Sequence, residues 1–322
     1  MILVTGAAGF IGSVLVKELN ESGREDLILV DRLGNDEKWK NLRGKSFIEY
    51  IHADELFTGA WDEVLEGIST IYHLGACSST TERNVDFLME NNVNYSKNLF
   101  DLAIERDIPI MYASSAATYG GIEKGFDDDH QKIKELRPLN AYGYSKQLFD
   151  EWVLKLEKRP SLWFGIKFFN VFGPNEYHKE EMRSLVHKAY GQIKSNGQVK
   201  LFKSHRTDFE NGKQLRDFIY VKDCVRAMLA MMEKGSGSGI YNLGTGNANS
   251  FDDLVDYTFK AMKETTKIVY IDMPDSIKHQ YQYFTEANMQ KLNQLLPDFK
   301  FTPLEESIKD YVGHLSSDDP HY

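Results

Sequence analysis

A short β-forming run, residues 2–5, leads straight into Gly6-Ala7-Ala8-Gly9-Phe10-Ile11-Gly12. Ile11, Val14, Leu15 and Leu19 then repeat on one helical face until Gly23. A GxxGxxG turn between a strand and a helix narrows the choice of fold more than any other feature here. Its glycines allow a tight turn, let backbone approach a pyrophosphate, and let the helix pack close to the sheet. Free N–H groups and the positive helix end then favour bound phosphate. Gly6, Gly9 and Gly12 are therefore candidate contacts of a dinucleotide.

The rest of the first half repeats the unit. Strands are predicted over residues 27–31, 47–51, 70–74, 110–114 and 164–169, with helical patterns between them. Each crossover must return over one face, so the strands are parallel. The expected class is α/β, a doubly wound parallel sheet of the Rossmann type. Beyond residue 170, charged loops at 176–183 and 203–214 interrupt two β-like runs at 218–221 and 240–243, before a helix over 250–263. We read residues 1–169 as a dinucleotide-binding domain with a returning segment at about 217–241. Residues 170–216 and 242–322 then form a smaller, interleaved substrate lobe. The polar tail, 316–322, is expected to fray.

Composition removes several function classes. Among 322 residues, 48 acids against 38 bases give a net charge of −10, which argues against a nucleic-acid or anionic-membrane surface. No apolar run approaches the roughly 20 residues that span a bilayer. The opening residues lack the basic region and cleavage site of a signal peptide. Two distant cysteines, Cys77 and Cys224, cannot make a disulfide scaffold or a multi-cysteine metal site. No metal is expected, and reduced thiols suit the cytoplasm.

The second strand ends in Asp31, where a carboxylate accepts hydrogen bonds from an adenosine ribose and favours NAD. Arg32 and Lys38 follow, and either base can neutralise a 2′-phosphate, which favours NADP. The residues alone leave the two cofactors open. Further on, Tyr142-Gly143-Tyr144-Ser145-Lys146 opens an amphipathic helix, so Tyr142 and Lys146 share one face. A nearby ammonium is expected to lower the phenol's pKa and fit it to remove a hydroxyl proton as hydride leaves the same carbon. Ser115 stands at the end of a strand, where ligands gather in doubly wound sheets, and is placed to orient that hydroxyl.

Taken with Phe169-Asn170-Val171-Phe172-Gly173-Pro174, Arg216-Asp217-Phe218-Ile219-Tyr220-Val221 and Asn242-Leu243-Gly244-Thr245-Gly246, these motifs resemble the extended short-chain dehydrogenase/reductases along almost the whole chain. Those are mostly nucleotide-sugar epimerases and dehydratases. The dehydratases carry an Asp-Glu pair after the catalytic hydroxyl; here Ala116 and Ala117 stand there, which leaves epimerisation or oxidoreduction. The runs His73 to Glu82, Ser114 to Gly121 and Asn140 to Lys146, with His178-Lys179, are similar to the ADP-L-glycero-D-manno-heptose 6-epimerase family.

That resemblance implies inversion at C6″ of an ADP-heptose through a transient ketone, with NADP as cofactor. It also implies homo-oligomers, pentamers in the family, working in the bacterial cytoplasm to supply heptose for lipopolysaccharide core. By matching positions it makes Lys179 a second acid/base beside Ser115, Tyr142 and Lys146. Phe10, Ile11, Asp31, Arg32, Lys38, Leu74, Gly75, Ala76, Cys77, Ser78, Asn91, Lys146, Val171 and Lys179 would meet the cofactor. Ser115, Asn170, Lys188, Phe202, Lys203, Ser204, His205, Arg216 and Tyr281 would hold the ADP-sugar, with Arg216 able to clamp a diphosphate. Three departures stand out: Ala53 replaces a cofactor-contacting lysine, Glu181 replaces a small serine, and the Lys203-Ser204-His205 loop differs in charge. Glu180 and Glu181 beside Lys179 are expected to raise its pKa. The competing readings are a UDP-sugar 4-epimerase or reductase, and a non-catalytic NAD(P)-binding scaffold, which intact Ser115, Tyr142 and Lys146 disfavour.

Overall fold

The computed structural model describes residues 1–122, 125–278 and 281–322. Its centre is a seven-stranded parallel sheet. In chain order the strands are β1 (Ile2–Thr5), β2 (Leu27–Asp31), β3 (Glu49–His52), β4 (Thr70–His73), β5 (Ile110–Ser115), β6 (Trp163–Phe168) and a returning seventh, Gly239–Leu243. Across the sheet they run seventh, β6, β5, β4, β1, β2, β3. The chain winds outward from β1 to β3, then crosses back to β4. That reversal opens a crevice at the carboxyl ends of β1 and β4, where such sheets take their ligands.

Period-two side chains divide each strand between two cores. Ile2, Val4, Leu27 and Leu29 face one core, built with Val14 and Leu15 of α1 (Phe10–Glu21) and Val225 and Met228 of the helix Val221–Lys234. Leu3, Ile28 and Val30 face the other, with Leu99 and Phe100 of Tyr95–Arg106 and Phe149 and Val153 of Ala141–Lys155. Helices thus cover both faces, as expected. A third, smaller core joins the parallel pair Val199–Phe202 and Ile268–Ile271 to the helices Leu185–Asn196 and Phe251–Met262. Ser250 and Asp253 close the start of the last helix with a reciprocal capping box.

Two expectations are corrected. Of the two later β-like runs, only Gly239–Leu243 joins the large sheet, beside β6; Phe218–Tyr220 pairs instead with Asn170–Phe172 as a separate two-stranded ladder. The tail does not fray at its end. The Tyr322 carbonyl accepts from Lys45 and Asn175, and its hydroxyl donates to Glu18 at 2.6 Å, so side chains over a hundred residues away hold a stretch whose composition reads as polar and loose. Among the described residues no helix is long and apolar enough to cross a membrane.

Candidate active site

The crevice is a cleft of about 1130 Å³ running from the glycine turn, past the ends of β2, β4 and β5, to residues 168–171, 178–182 and 281–285. Its floor is bare backbone. Gly6 has φ +67°, and a Cβ there would lie 2.6 Å from the Gly75 nitrogen; a Cβ on Gly12 would lie 2.1 Å from the Gly6 carbonyl. The α1 helix begins with no side-chain cap and no acid in its first turn, leaving its first N–H groups for an anion. A dinucleotide's pyrophosphate fits that cradle.

At the end of β2, Asp31 is buried and accepts from the Ala8 and Arg32 nitrogens at 2.8 and 2.7 Å and from Lys38 Nζ at 2.9 Å. Arg32 pairs with Asp54 and donates to Asn91, and Lys38 also donates to the Arg32 carbonyl. Both bases line the cleft, as does Ala53. A π-helical stretch, Met89–Asn94, turns two consecutive asparagines inward. Asn91 takes Arg32, while Asn92 exchanges two 2.9 Å hydrogen bonds with the Cys77 backbone and fixes the loop after β4. Burial raises the Cys77 thiol pKa, so it stays neutral there.

The acid–base groups come from the end of β5 and from the helix Ala141–Lys155. Asn140 caps the helix Ala141–Lys155 through the Gly143 nitrogen at 2.8 Å, which seats Tyr142 and Lys146 in its first turns. Lys146 is buried, donates to the Ala113 carbonyl at 2.8 Å, and is pushed down to about 8 by desolvation, against the pull of Asp150. The expected lowering of the Tyr142 phenol is not found. Burial raises its pKa; hydrogen bonding with Ser115 opposes that, and Lys146 is turned toward Ala113. Beneath them lies a fully buried ion pair, Lys167 to Asp150 at 2.6 Å, with Ser114 and Tyr112 donating to Asp150 and Lys167 donating to Thr118.

Lys179 comes from Tyr177–Met182, and its ammonium lies 5.2 Å above the Phe10 ring. Its pKa is lowered, by burial first, with Glu176 opposing. This reverses the expectation from its acidic neighbours. Glu180 takes a left-handed turn, φ +45°, and is exposed, while Glu181 is 94% exposed and engages Lys188 at 3.4 Å. Neither carboxylate offsets the desolvation of Lys179.

The expected cofactor residues Gly6, Gly9, Phe10, Ile11, Gly12, Asp31, Arg32, Lys38, Leu74, Gly75, Ala76, Cys77, Ser78, Asn91, Lys146, Val171 and Lys179 all line the cleft. So do Ser115, Tyr142, Asn170 and Tyr281. Lys188, Phe202, Lys203, Ser204, His205 and Arg216 do not line it. Arg216 is buried behind Tyr281, its guanidinium 5.6 Å from that ring, and donates to the Leu215 and Gln282 carbonyls. Burial brings it down to about 10, and among the described residues it pairs with no carboxylate. His205 reaches the Tyr283 hydroxyl at 2.8 Å, while Lys203 pairs with Asp272. Several groups that the sequence reading gave no role in the site also belong to it. Gln282 and Thr285 line the cleft, Asn92 braces it, and His178 lines it with a buried Nδ1 that has no partner among the described residues.

The sequence model of the NAD dependent epimerase/dehydratase family matches residues 2–244. The chain belongs to that family. Among relatives in this epimerase/dehydratase family, the ADP-L-glycero-D-manno-heptose-6-epimerase of Nitratidesulfovibrio vulgaris is 48% identical over the whole of both chains. That of Fusobacterium nucleatum is 46% identical, again over both whole chains. The crystal structure of the Helicobacter pylori ADP-L-glycero-D-manno-heptose-6-epimerase is 30% identical and superposes with a TM-score of 0.84, over 98% of this chain and 96% of that one. The resemblance read from the motifs is borne out. The structure of MoeE5 in complex with UDP-glucuronic acid and NAD is 25% identical with a TM-score of 0.75, over 98% of this chain and 99% of that one.

Proposed function

We propose that this chain interconverts ADP-D-glycero- and ADP-L-glycero-D-manno-heptose by oxidising C6″ to a ketone and reducing it on the opposite face. The observation that carries this reading is the pairing of Tyr142 with a desolvated Lys179 on one cleft, above a glycine cradle. Inversion moves the hydroxyl from one side of the carbon to the other, so one fixed acid–base group cannot serve both epimers well. Two on one cleft can. Tyr142 takes or returns the proton of one epimer and Lys179 that of the other, while Ser115 orients the oxygen. A lysine can act as a base only when its ammonium is disfavoured, and its burial supplies that.

The nicotinamide cofactor supplies hydride removal and return at C6″, with no net redox change. The glycine cradle would hold its pyrophosphate, Asp31 its adenosine ribose and Lys146 its nicotinamide ribose. We read the cofactor as NADP because Arg32 and Lys38 both stand at the adenosine end. Asn170 and Tyr281 would hold the sugar nucleotide in the cleft, with Arg216 backing the Tyr281 ring from behind. We further read the chain as a homo-oligomer of the bacterial cytoplasm that serves lipopolysaccharide core synthesis.

Incubation with ADP-D-glycero-D-manno-heptose, followed by proton NMR, tests the reaction. Conversion to the 6″ epimer without added oxidant or reductant is expected. A product that appears only with stoichiometric reductant makes the protein a reductase, and no conversion removes the reading. The mass of the cofactor released from purified protein decides between NADP and NAD.

A further inference from the structure

The tail expected to fray meets the site from behind, through two asparagines that are themselves wholly buried. Asn41 donates to the Ala8 carbonyl of the glycine turn at 2.9 Å and to the Asn175 carbonyl at 3.1 Å. Asn175 donates to Ser13 of α1 at 2.9 Å, and it leads directly into Tyr177–Met182, the segment that carries Lys179. Residues 320–322 close the remaining side of this bridge. The Pro320 carbonyl accepts from the Tyr177 hydroxyl at 2.7 Å, and the His321 ring pairs with Asn41 at 2.8 Å. Tyr322 exchanges two hydrogen bonds with the Asn175 side chain, at 2.8 and 2.9 Å.

We propose that residues 320–322 form a positioning clamp, which holds the Lys179 segment against the glycine turn and α1 and so sets the place and burial of the Lys179 ammonium. Each of the four bonds from residues 320–322 goes to Asn41, Asn175 or Tyr177, and each of these is bonded to the cradle or lies within four residues of Lys179. The helix that carries Tyr142 makes none of these contacts. The clamp therefore acts on one proton carrier and not the other. Around Lys179 the facing groups are the Phe10 ring, the Glu176 carboxylate and His178, which burial holds neutral; Glu180 and Glu181 line the same cleft but are exposed. Loosening the segment exposes the ammonium to water and removes its desolvation.

The importance of the clamp to turnover rests on the proposed role of Lys179, but its structural test does not. The full chain is compared with one ending at Asp319 and with Tyr177→Phe, which removes a single anchor. Two readouts are taken on cofactor-loaded protein: amide exchange over residues 177–182, and the pH midpoint for labelling of Lys179 by an amine-directed reagent. In the shortened chain, exchange should rise on the order of tenfold or more. The labelling midpoint should climb toward the ordinary lysine value of 10.5, with cofactor retained. Turnover should fall about tenfold while KM moves less than about threefold, because binding groups are untouched. Unchanged exchange and an unchanged midpoint overturn the clamp. Should the shortened chain fail to fold, Tyr177→Phe decides on the same readouts, with a smaller shift expected. A freed Lys179 with unaltered turnover supports the clamp and instead removes Lys179 from the reaction.

Discussion

Tyr142 and Lys179 are both buried enough to resist charge, and that resistance acts in opposite directions. A buried phenol holds its proton more firmly, whereas a buried ammonium gives it up more readily. Tyr142→Phe keeps the ring and removes the proton carrier. It should still bind cofactor while epimerisation falls at least about a hundredfold; steady-state rates with both heptose epimers, beside cofactor occupancy, check this. Lys179→Met should cost a similar factor in kcat and leave the fold intact, and a change confined to KM would make Lys179 a binding group. Tyr142 and Lys146 were legible because four residues along a helix is a local relation. The direction of their pKa shifts was not, since it depends first on burial, opposed by Ser115 at the phenol and by Asp150 at the ammonium. The burial of His178 and the role of Asn92 were hidden for the same reason: their surroundings come from other segments of the chain.

Elements inherit their precision from backbone contacts. The strand–turn–helix at residues 2–21 was legible almost to the residue, because its glycine spacing and apolar period are both local signals. Gly12→Ala should force α1 away from β1, since the added Cβ would sit 2.1 Å from the Gly6 carbonyl. Cofactor affinity should fall tenfold or more, on the order of 1.4 kcal/mol, which titration calorimetry reads. The buried Asp150–Lys167 pair ties the helix of Tyr142 to β6, 17 residues further along the chain, and no spacing rule announces it. Lys167→Met would leave the Asp150 carboxylate buried without its cation, at a cost of about 3–5 kcal/mol. Urea unfolding should show the free energy of unfolding lowered by that amount, although Lys167 does not itself line the cleft.

Across the whole molecule, several imidazoles are buried neutral. His73 hydrogen-bonds Thr5 and Ser96 and is pushed down to about 3 by desolvation, while His130, His178 and His187 are held at about 4. Below the ordinary imidazole value of 6.5 the unfolded chain binds protons that the fold refuses, so stability falls as pH falls. By pH 5 each wholly buried imidazole costs about 2 kcal/mol, and the three half-buried ones cost less. Tm should therefore drop steadily between pH 7 and pH 5; a flat profile would show that these rings take protons in the folded state. The tail is the part of the fold least legible from sequence, because polar composition signals looseness while its partners lie between Glu18 and Tyr177.

The central claim is that hydride leaves C6″ and returns to the same carbon inside one cleft, with only hydroxyl protons passing through Tyr142 and Lys179. Epimerisation in D₂O, followed by mass spectrometry and NMR of the product, tests this directly. The 6″ carbon should invert with no deuterium bound to it, whereas deuterium at C6″ would mean that the carbon exchanges its hydrogen with solvent and that inversion proceeds by proton abstraction instead.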